Sequence, residues 1–512
     1  MSHARAVLAT LVMVSCGAAC ADAQALFPPD RATMVNPDAQ LALMFGEVPR
    51  AGSSGKVRIY DAADDRLVDV LDMSIPPGPT KPVDPAVRAK EYLAFPYPYD
   101  RASRPTNRDT RPGTPSAGAV ATSSAYQLTI IGGFTDGFHF YPVTVEGRTA
   151  TIHPHHDLLE YGKTYYVQID PGVIELSHGT FAGIAGKAWR FTTKPRSKAP
   201  GRNATHLRVS ADGTGDFSTV QGALDFVPDH ATRRVTIHVG DGLYEEIVYA
   251  RNKDNVTLLG TSQDKTVVRY ANNEVFNPHP ANIRTNPQPG TFPSRRAAVT
   301  IDNCHGIHIV NMTLQTTASG QAEGLLIAGD RNILSRVTVV GSGDALQANG
   351  RVYMVDSTIV GDGDTILGRG TLYCERCTIR STGVMMWPRN PKDVHGNVFK
   401  DSTFIGTGTP TTLARAPLND GRFSYPYAEV VLLNATLVNV APEGWGDADK
   451  AGEVRFWEFN SHHPDGTPVD VSQRVPWSRQ LDKTRDARLI DDYSRPAFVL
   501  AGWTPALEVV VR

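Results

Sequence analysis

The chain has 512 residues, more than one domain of ordinary size holds, so two or more domains are expected. Hydrophobic residues make up 41% and charged residues 20%, which excludes a wholly disordered or fibrous chain. The 51 Lys and Arg nearly cancel the 53 Asp and Glu, so no basic excess points to nucleic acid and no acidic tail is present; 45 Gly and 36 Pro favour a turn-rich β protein over a helical bundle.

Residues 1–25 read as an export signal. Arg5 gives a positive start, an apolar run follows from Ala6 to Ala19, and Ala21-Asp22-Ala23 offers a small-x-small cleavage site. The run is shorter than the ~20 apolar residues a membrane span needs. The alternative is a lipoprotein signal with Cys16 or Cys20 as the lipidated residue. No other segment is apolar and long enough to span a bilayer, so a secreted or periplasmic protein is expected, with an outer-membrane lipoprotein as the variant. The remaining cysteines, Cys304, Cys374 and Cys377, make no disulfide framework. The CxxC of Cys374 and Cys377 has no second half with zinc-site spacing, so core thiols are expected.

From Phe27 to about Pro195 short strands alternate with turns. Gln40-Leu-Ala-Leu-Met-Phe45, Lys56-Val-Arg-Ile-Tyr60 and Tyr165-Tyr-Val-Gln-Ile169 alternate apolar and polar residues, the period of a half-buried strand. A Pro-, Arg- and Ser-rich stretch from Ile75 to Gly118 reads as a long insertion. His153, His155, His156 and Asp157 read as a solvated strand end, with a metal cluster as the weaker alternative. Lys194-Pro-Arg-Ser-Lys-Ala-Pro-Gly-Arg202 is polar and proline-broken, a linker placed at 198–205.

Beyond the linker, β-branched runs recur. Their central threonines, Thr313, Thr338, Thr358, Thr378, Thr403 and Thr436, are spaced by 25, 20, 20, 25 and 33 residues. A step of roughly 20–25 residues is one coil of a parallel β-solenoid. Asp344 and Asp364 each lie six residues after such a threonine and each follows a Gly-x-Gly, so they occupy equivalent places on consecutive coils, ~4.8 Å apart in strand spacing. Two carboxylates that close do not both ionise easily: one can be held as an acid while the other stays an anion, which is what a hydrolase needs. A solvated ladder of turn aspartates is the alternative that spacing alone leaves open.

Two resemblances sharpen this reading. The N-terminal region, with "LEYGKTYYVQID" and a closing "WRFTT", resembles a bacterial immunoglobulin-like β-sandwich, a spacer or adhesion module in which catalysis is not expected. The segment from about 206 to 505 resembles the pectin methylesterase family. It opens on Asp212-Gly-Thr-Gly-Asp-Phe-Ser-Thr-Val-Gln221 and continues in the family's order with Gly242-Leu-Tyr-Glu-Glu246, Leu258-Leu-Gly260 and Lys265-Thr-Val-Val268. "GQAEGLLIAGDR", Gly343-Asp344-Ala345-Leu346, "GDGDTILG" (361–368) and "LARAP" (413–417) follow. The resemblance implies an all-β fold, a right-handed parallel β-helix over 206–512 preceded by a sandwich over 26–197. It implies Asp364 as nucleophile, Asp344 as acid and base, Arg415 as the cation on the nucleophile and Gln321 as an oxyanion donor. The substrate implied is methylated polygalacturonate, with no metal or organic cofactor, no nucleic acid and a monomeric chain.

The departures are Gly343 for a second oxyanion glutamine, Thr365 for a phenylalanine after the nucleophile, and Pro417 for a tryptophan of the sugar cleft. Gly343, Thr365 and Trp387 are the expected substrate contacts, Trp387 as a stacking surface or as a buried loop anchor. A slowed esterase is expected from Gly343, since a lost oxyanion donor costs on the order of 10²–10³ in turnover. Two readings compete with the pectin esterase: a non-catalytic polysaccharide-binding β-helix, and an esterase or thioesterase acting on a non-pectic ester. A chain starting near Gly201 is expected to fold and keep its activity, the alternative being that the sandwich caps the solenoid.

Overall fold

The computed structural model describes residues 23–82, 126–131, 137–278, 295–416, 425–448 and 453–507. The signal segment with Cys16 and Cys20, most of the 75–118 insertion, and Pro417 lie outside the described residues. The chain forms two compact units, Met1–Pro228 with Val275–Phe292, and Asp229–Glu274 with Pro293–Arg512. No helix among the described residues is long and apolar enough to cross a membrane.

The first unit is built on a β-sandwich. One antiparallel sheet runs in the order Ala23–Phe27, Leu41–Phe45, Thr149–Ile152, Val143–Glu146. The other runs Ala32–Val35, Ile184–Thr193, Thr164–Ile169, Lys56–Asp61, Leu67–Asp72. The period-two patterns decide which side chains go inside. Leu41, Leu43 and Phe45 from one sheet meet Val57, Ile59, Val167, Trp189 and Phe191 from the other in one core. The buried Trp189 indole is satisfied by the Pro28 carbonyl at 2.8 Å.

The same unit holds the helix Val220–Phe226, all of whose residues are buried. Thr219 caps it, accepting from Gly222 N at 3.0 Å. Asp38 of the sandwich accepts in turn from Ser218 N and Thr219 N, each at 2.9 Å, and from the Thr219 hydroxyl at 2.8 Å. Asn36 donates to Ser218 Oγ at 3.0 Å. The strand end expected to be solvated is instead buried: His155 pairs with Asp69 at 2.7 Å, and His153 contacts the Thr144 hydroxyl at 2.8 Å. Asp69 and Thr144 lie on the sandwich strands Leu67–Asp72 and Val143–Glu146, so these histidines find partners in the sheets rather than in solvent.

The second unit is a parallel β-helix. The threonine ladder is literal: Thr313 pairs with Thr338, Thr338 with Thr358, Thr358 with Thr378, Thr378 with Thr403, and Thr403 with Thr436. One residue further on, Val339, Ile359, Ile379, Phe404 and Leu437 stack in the interior in the same register. Each such side chain contributes about 1.5–3 kcal/mol of burial, and none finds that partner within its own coil. Two positions before each threonine stands a residue with positive φ: Asn311, Arg336, Asp356, Arg376, Asp401 and Asn434. A single left-handed residue redirects the chain from one strand to the next, so these six bends set the cross-section. Cys304, Cys374 and Cys377 are buried free thiols, and burial pushes Cys304 up to about 12.

A second, shorter parallel sheet of the same unit stacks Val248–Arg251, Val299–His305, Leu325–Asp330, Leu346–Ala348, Ile366–Gly368 and Met386–Pro388. Two of its strands, Leu346–Ala348 and Ile366–Gly368, begin just after Asp344 and Asp364.

Candidate active site

Asp344 and Asp364 each stand two residues before a strand of this short sheet, and those strands pair Leu346 with Ile366. Asp344 N donates to Gly363 O at 3.0 Å, locking the two turns together. Both aspartates have positive φ, 70° and 41°, a conformation that Asp tolerates better than most residues but that still stores strain. The preceding glycines make room: a Cβ on Gly341 would lie 2.4 Å from Ala345 Cα, and one on Gly361 would lie 2.6 Å from the Thr365 hydroxyl.

Arg415 donates Nε to Asp364 Oδ1 at 2.8 Å and Nη2 to Oδ2 at 2.6 Å. This fork holds both carboxylate oxygens. The same hydrogen bond raises Arg415 above its ordinary value. Burial raises the Asp344 carboxyl and the nearby Asp364 adds to this, while Arg296 and Arg389 pull the other way. The two carboxyls thus sit in different surroundings, Asp364 gripped by a guanidinium at both oxygens and Asp344 raised by burial.

Arg296, which the sequence reading passed over, gathers the rest of the site. Its Nη2 donates to Asp344 Oδ2 at 2.7 Å, its Nη1 to Gln321 Oε1 at 2.8 Å, and its Nε to both Glu323 oxygens at 2.8 and 2.9 Å. Burial pushes the fully enclosed Glu323 up to about 7 against the pull of Arg296. Since a guanidinium only donates, the Gln321 atom facing it is the oxygen, and the amide NH₂ is left for another acceptor. The signal in the sequence was Arg295-Arg296 set directly before the apolar run Ala297-Ala-Val-Thr-Ile301. Both arginines are buried.

The expected substrate contacts fare differently. Gly343 has φ 45°, and its N–H is spent on Asp362 Oδ1. Thr365 is fully buried and shares a hydrogen bond with the Ser381 hydroxyl at 2.7 Å, so its side chain is not offered to a sugar. Trp387 is buried too, and two guanidiniums lie against its ring, Arg389 at 3.7 Å and Arg415 at 4.7 Å from the centroid. It lies against the cation that holds Asp364. Arg389, a second residue missed in the sequence, brings its charge close to both aspartates.

The Pectinesterase family profile matches residues 206–501. The chain belongs to the pectinesterase family. It is therefore a carboxylic ester hydrolase. A bacterial Ig-like domain profile matches 114–193, and the strands from Ala23 to Asp72 complete its sheets. Among relatives, pectinesterase 31 of Arabidopsis thaliana is 30% identical over 285 residues, covering 54% of this chain and 87% of the relative. Probable pectinesterase 8 of the same plant is 28% identical over 312 residues, covering 56% and 74%. The solved pectin methylesterase from carrot is 21% identical, with a TM-score of 0.47, covering 58% of this chain and 93% of that one.

Proposed function

We propose that this pectinesterase is exported and hydrolyses methyl esters of galacturonan through a covalent intermediate on Asp364. The observation that carries the reading is the pairing of a carboxylate gripped at both oxygens by Arg415 with a neighbouring carboxyl, Asp344, raised by burial. Asp364 attacks the ester carbonyl carbon, and the new oxyanion accepts from the Gln321 amide, oriented by Arg296. The carbon–methoxy bond breaks as Asp344 gives its proton to the leaving oxygen, releasing methanol and leaving an anhydride between Asp364 and the uronate. Asp344, now an anion, takes a proton from water as that oxygen adds to the uronate carbonyl. The anhydride bond breaks, Asp364 leaves as carboxylate, and Asp344 holds its proton again. Arg296 occupies one Asp344 oxygen throughout, which leaves the other to carry the proton.

With Gly343 lacking a side chain and its N–H committed to Asp362, a single side-chain donor, Gln321, serves the oxyanion. A turnover lower than in relatives with two glutamines is the expected consequence. Methanol release from methylated polygalacturonate by the purified mature protein tests the function. Turnover of a simple non-pectic ester with no methanol from pectin would move the assignment to another ester, and binding without turnover would move it to a polysaccharide binder.

A further inference from the structure

We propose that His156, Asp157 and Asp225 form a binding site for one divalent cation of the zinc class, with water completing the coordination. All three belong to the first compact unit: His156 and Asp157 follow the strand Thr149–Ile152, and Asp225 lies on the helix Val220–Phe226. One ligand atom from each lies within 4.8 Å of the other two. His156 Nε2 is 2.6 Å from Asp225 Oδ2 and 3.5 Å from Asp157 Oδ2. Tetrahedral zinc with bonds of ~2.0–2.1 Å separates its ligand atoms by ~3.3 Å. The Asp157 edge already has that length, and the Asp225 edge needs to open by less than about 1 Å.

Asp157 points to a ligand independently of this spacing. Its side chain is only 5% exposed, yet its carboxylate accepts no hydrogen bond among the described residues. The nearest donor, His156 Nε2, is already engaged by Asp225. Among the described residues, the only neighbour of opposite character to Asp157 is that shared imidazole at 3.5 Å, so the enclosed carboxylate is poorly compensated, and a divalent cation would offset the two carboxylates brought together there. The supports one shell out are in place: Gln221 Nε2 donates to Asp225 Oδ1 at 2.8 Å, and His156 N donates to Thr129 Oγ1 at 3.0 Å. The His156 side chain, 17% exposed, leaves a path for the ion and its water. His153 and His155 are committed to Thr144 and Asp69, so the histidine cluster of the sequence divides into one ligand and two packing groups. A bound ion would fasten the loop after a sandwich strand to the first helix of the esterase segment.

The test uses the full chain, stripped with a chelator and titrated with zinc chloride by calorimetry and thermal melting. One equivalent binding with a Kd below ~10 μM, and a melting midpoint raised by about 3 °C or more, is expected. Asp157→Asn should weaken binding at least ~10-fold while leaving methanol release unchanged. No binding at ~100 μM zinc, the result for a His156 imidazolium that merely bridges two carboxylates, overturns the proposal. So does undiminished binding in Asp157→Asn. Should that variant not fold, cobalt(II) added to the wild type decides: four-coordinate visible bands saturating at one equivalent and bleached by zinc support the site, and their absence overturns it.

Discussion

Arg296 donates to the side-chain oxygen of Gln321 at 2.8 Å, and that one contact fixes which way the Gln321 amide faces. The same guanidinium touches Asp344 and is itself anchored by buried Glu323. Gln321 and Asp344, the proposed oxyanion donor and acid, are thus held by a single cation.

Arg296→Gln should therefore lower kcat by on the order of 10²-fold with KM changed less than ~3-fold, since the hold is on groups that act in the transition state. Arg296→Lys keeps the charge but not the fork, and should recover only part of the loss. Removing Arg296 alone strands Glu323, so the double variant Arg296→Gln/Glu323→Gln separates positioning from folding. Steady-state kinetics on the double variant, with melting checked in parallel, should show the same kcat defect in a stable protein. A double variant with wild-type kcat would show that Arg296 does no more than balance Glu323.

Arg415→Leu should move the rising limb of the pH–rate profile to higher pH. The proposed nucleophile must be ionised to attack, and Arg415 sets its charge against both Asp364 oxygens. Removing a cation from a carboxylate that has a second carboxyl as neighbour disfavours the anion in general. The falling limb, set by loss of the proton from the raised Asp344, should stay nearer its place. A profile identical to wild type would remove Arg415 from this role.

Restoring the family's glutamine is predicted to fail. At Gly343 the backbone has φ 45°, and a Cβ would lie 2.8 Å from the Gly320 carbonyl oxygen. Gly343→Gln should cost about 1–3 kcal/mol of stability and give no gain in methanol release. Even Gly343→Ala should melt lower than wild type. A faster and equally stable glutamine variant would mean that the turn adapts and that the missing donor alone limits the rate.

The chain cut near Gly201 is now expected to be worse than the full protein. Residues 206–228 belong to the compact unit of the sandwich, and Ser218, Thr219 and Asp225 all take partners from it. Removing the sandwich exposes the wholly buried helix Val220–Phe226. Soluble yield and melting of the truncated chain against the full one check this, and equal values would restore the independent-domain view.

The threonine ladder was legible because one repeated residue type marks the same point of every coil, and a parallel sheet keeps that register. The acid pair was legible for the same reason: Asp344 and Asp364 sit six residues after paired threonines. The residues between those marks were not. Thr365 follows Asp364 directly, and with a period of two the side chain after an outward-facing aspartate turns inward, to Ser381. Trp387 meets Arg389 of its own segment and Arg415 of a later one, and only the second contact is hidden from the sequence. Arg296, Gln321, Glu323 and Asp344 meet only because successive coils stack, and the spacing of charged residues along one coil carries no trace of that meeting. The left-handed bends escaped notice because Asn, Asp and Arg share the position, so no single letter repeats.

The covalent mechanism is tested most directly by the rate of methanol release from methylated polygalacturonate by Asp364→Asn, measured beside Asp344→Asn and wild type under the same conditions. With melting unchanged, both variants should lose turnover by on the order of 10³-fold or more, because each removes a group that makes or breaks a bond. An Asp364→Asn protein that releases methanol at the wild-type rate would contradict the covalent mechanism and with it the assignment of this site.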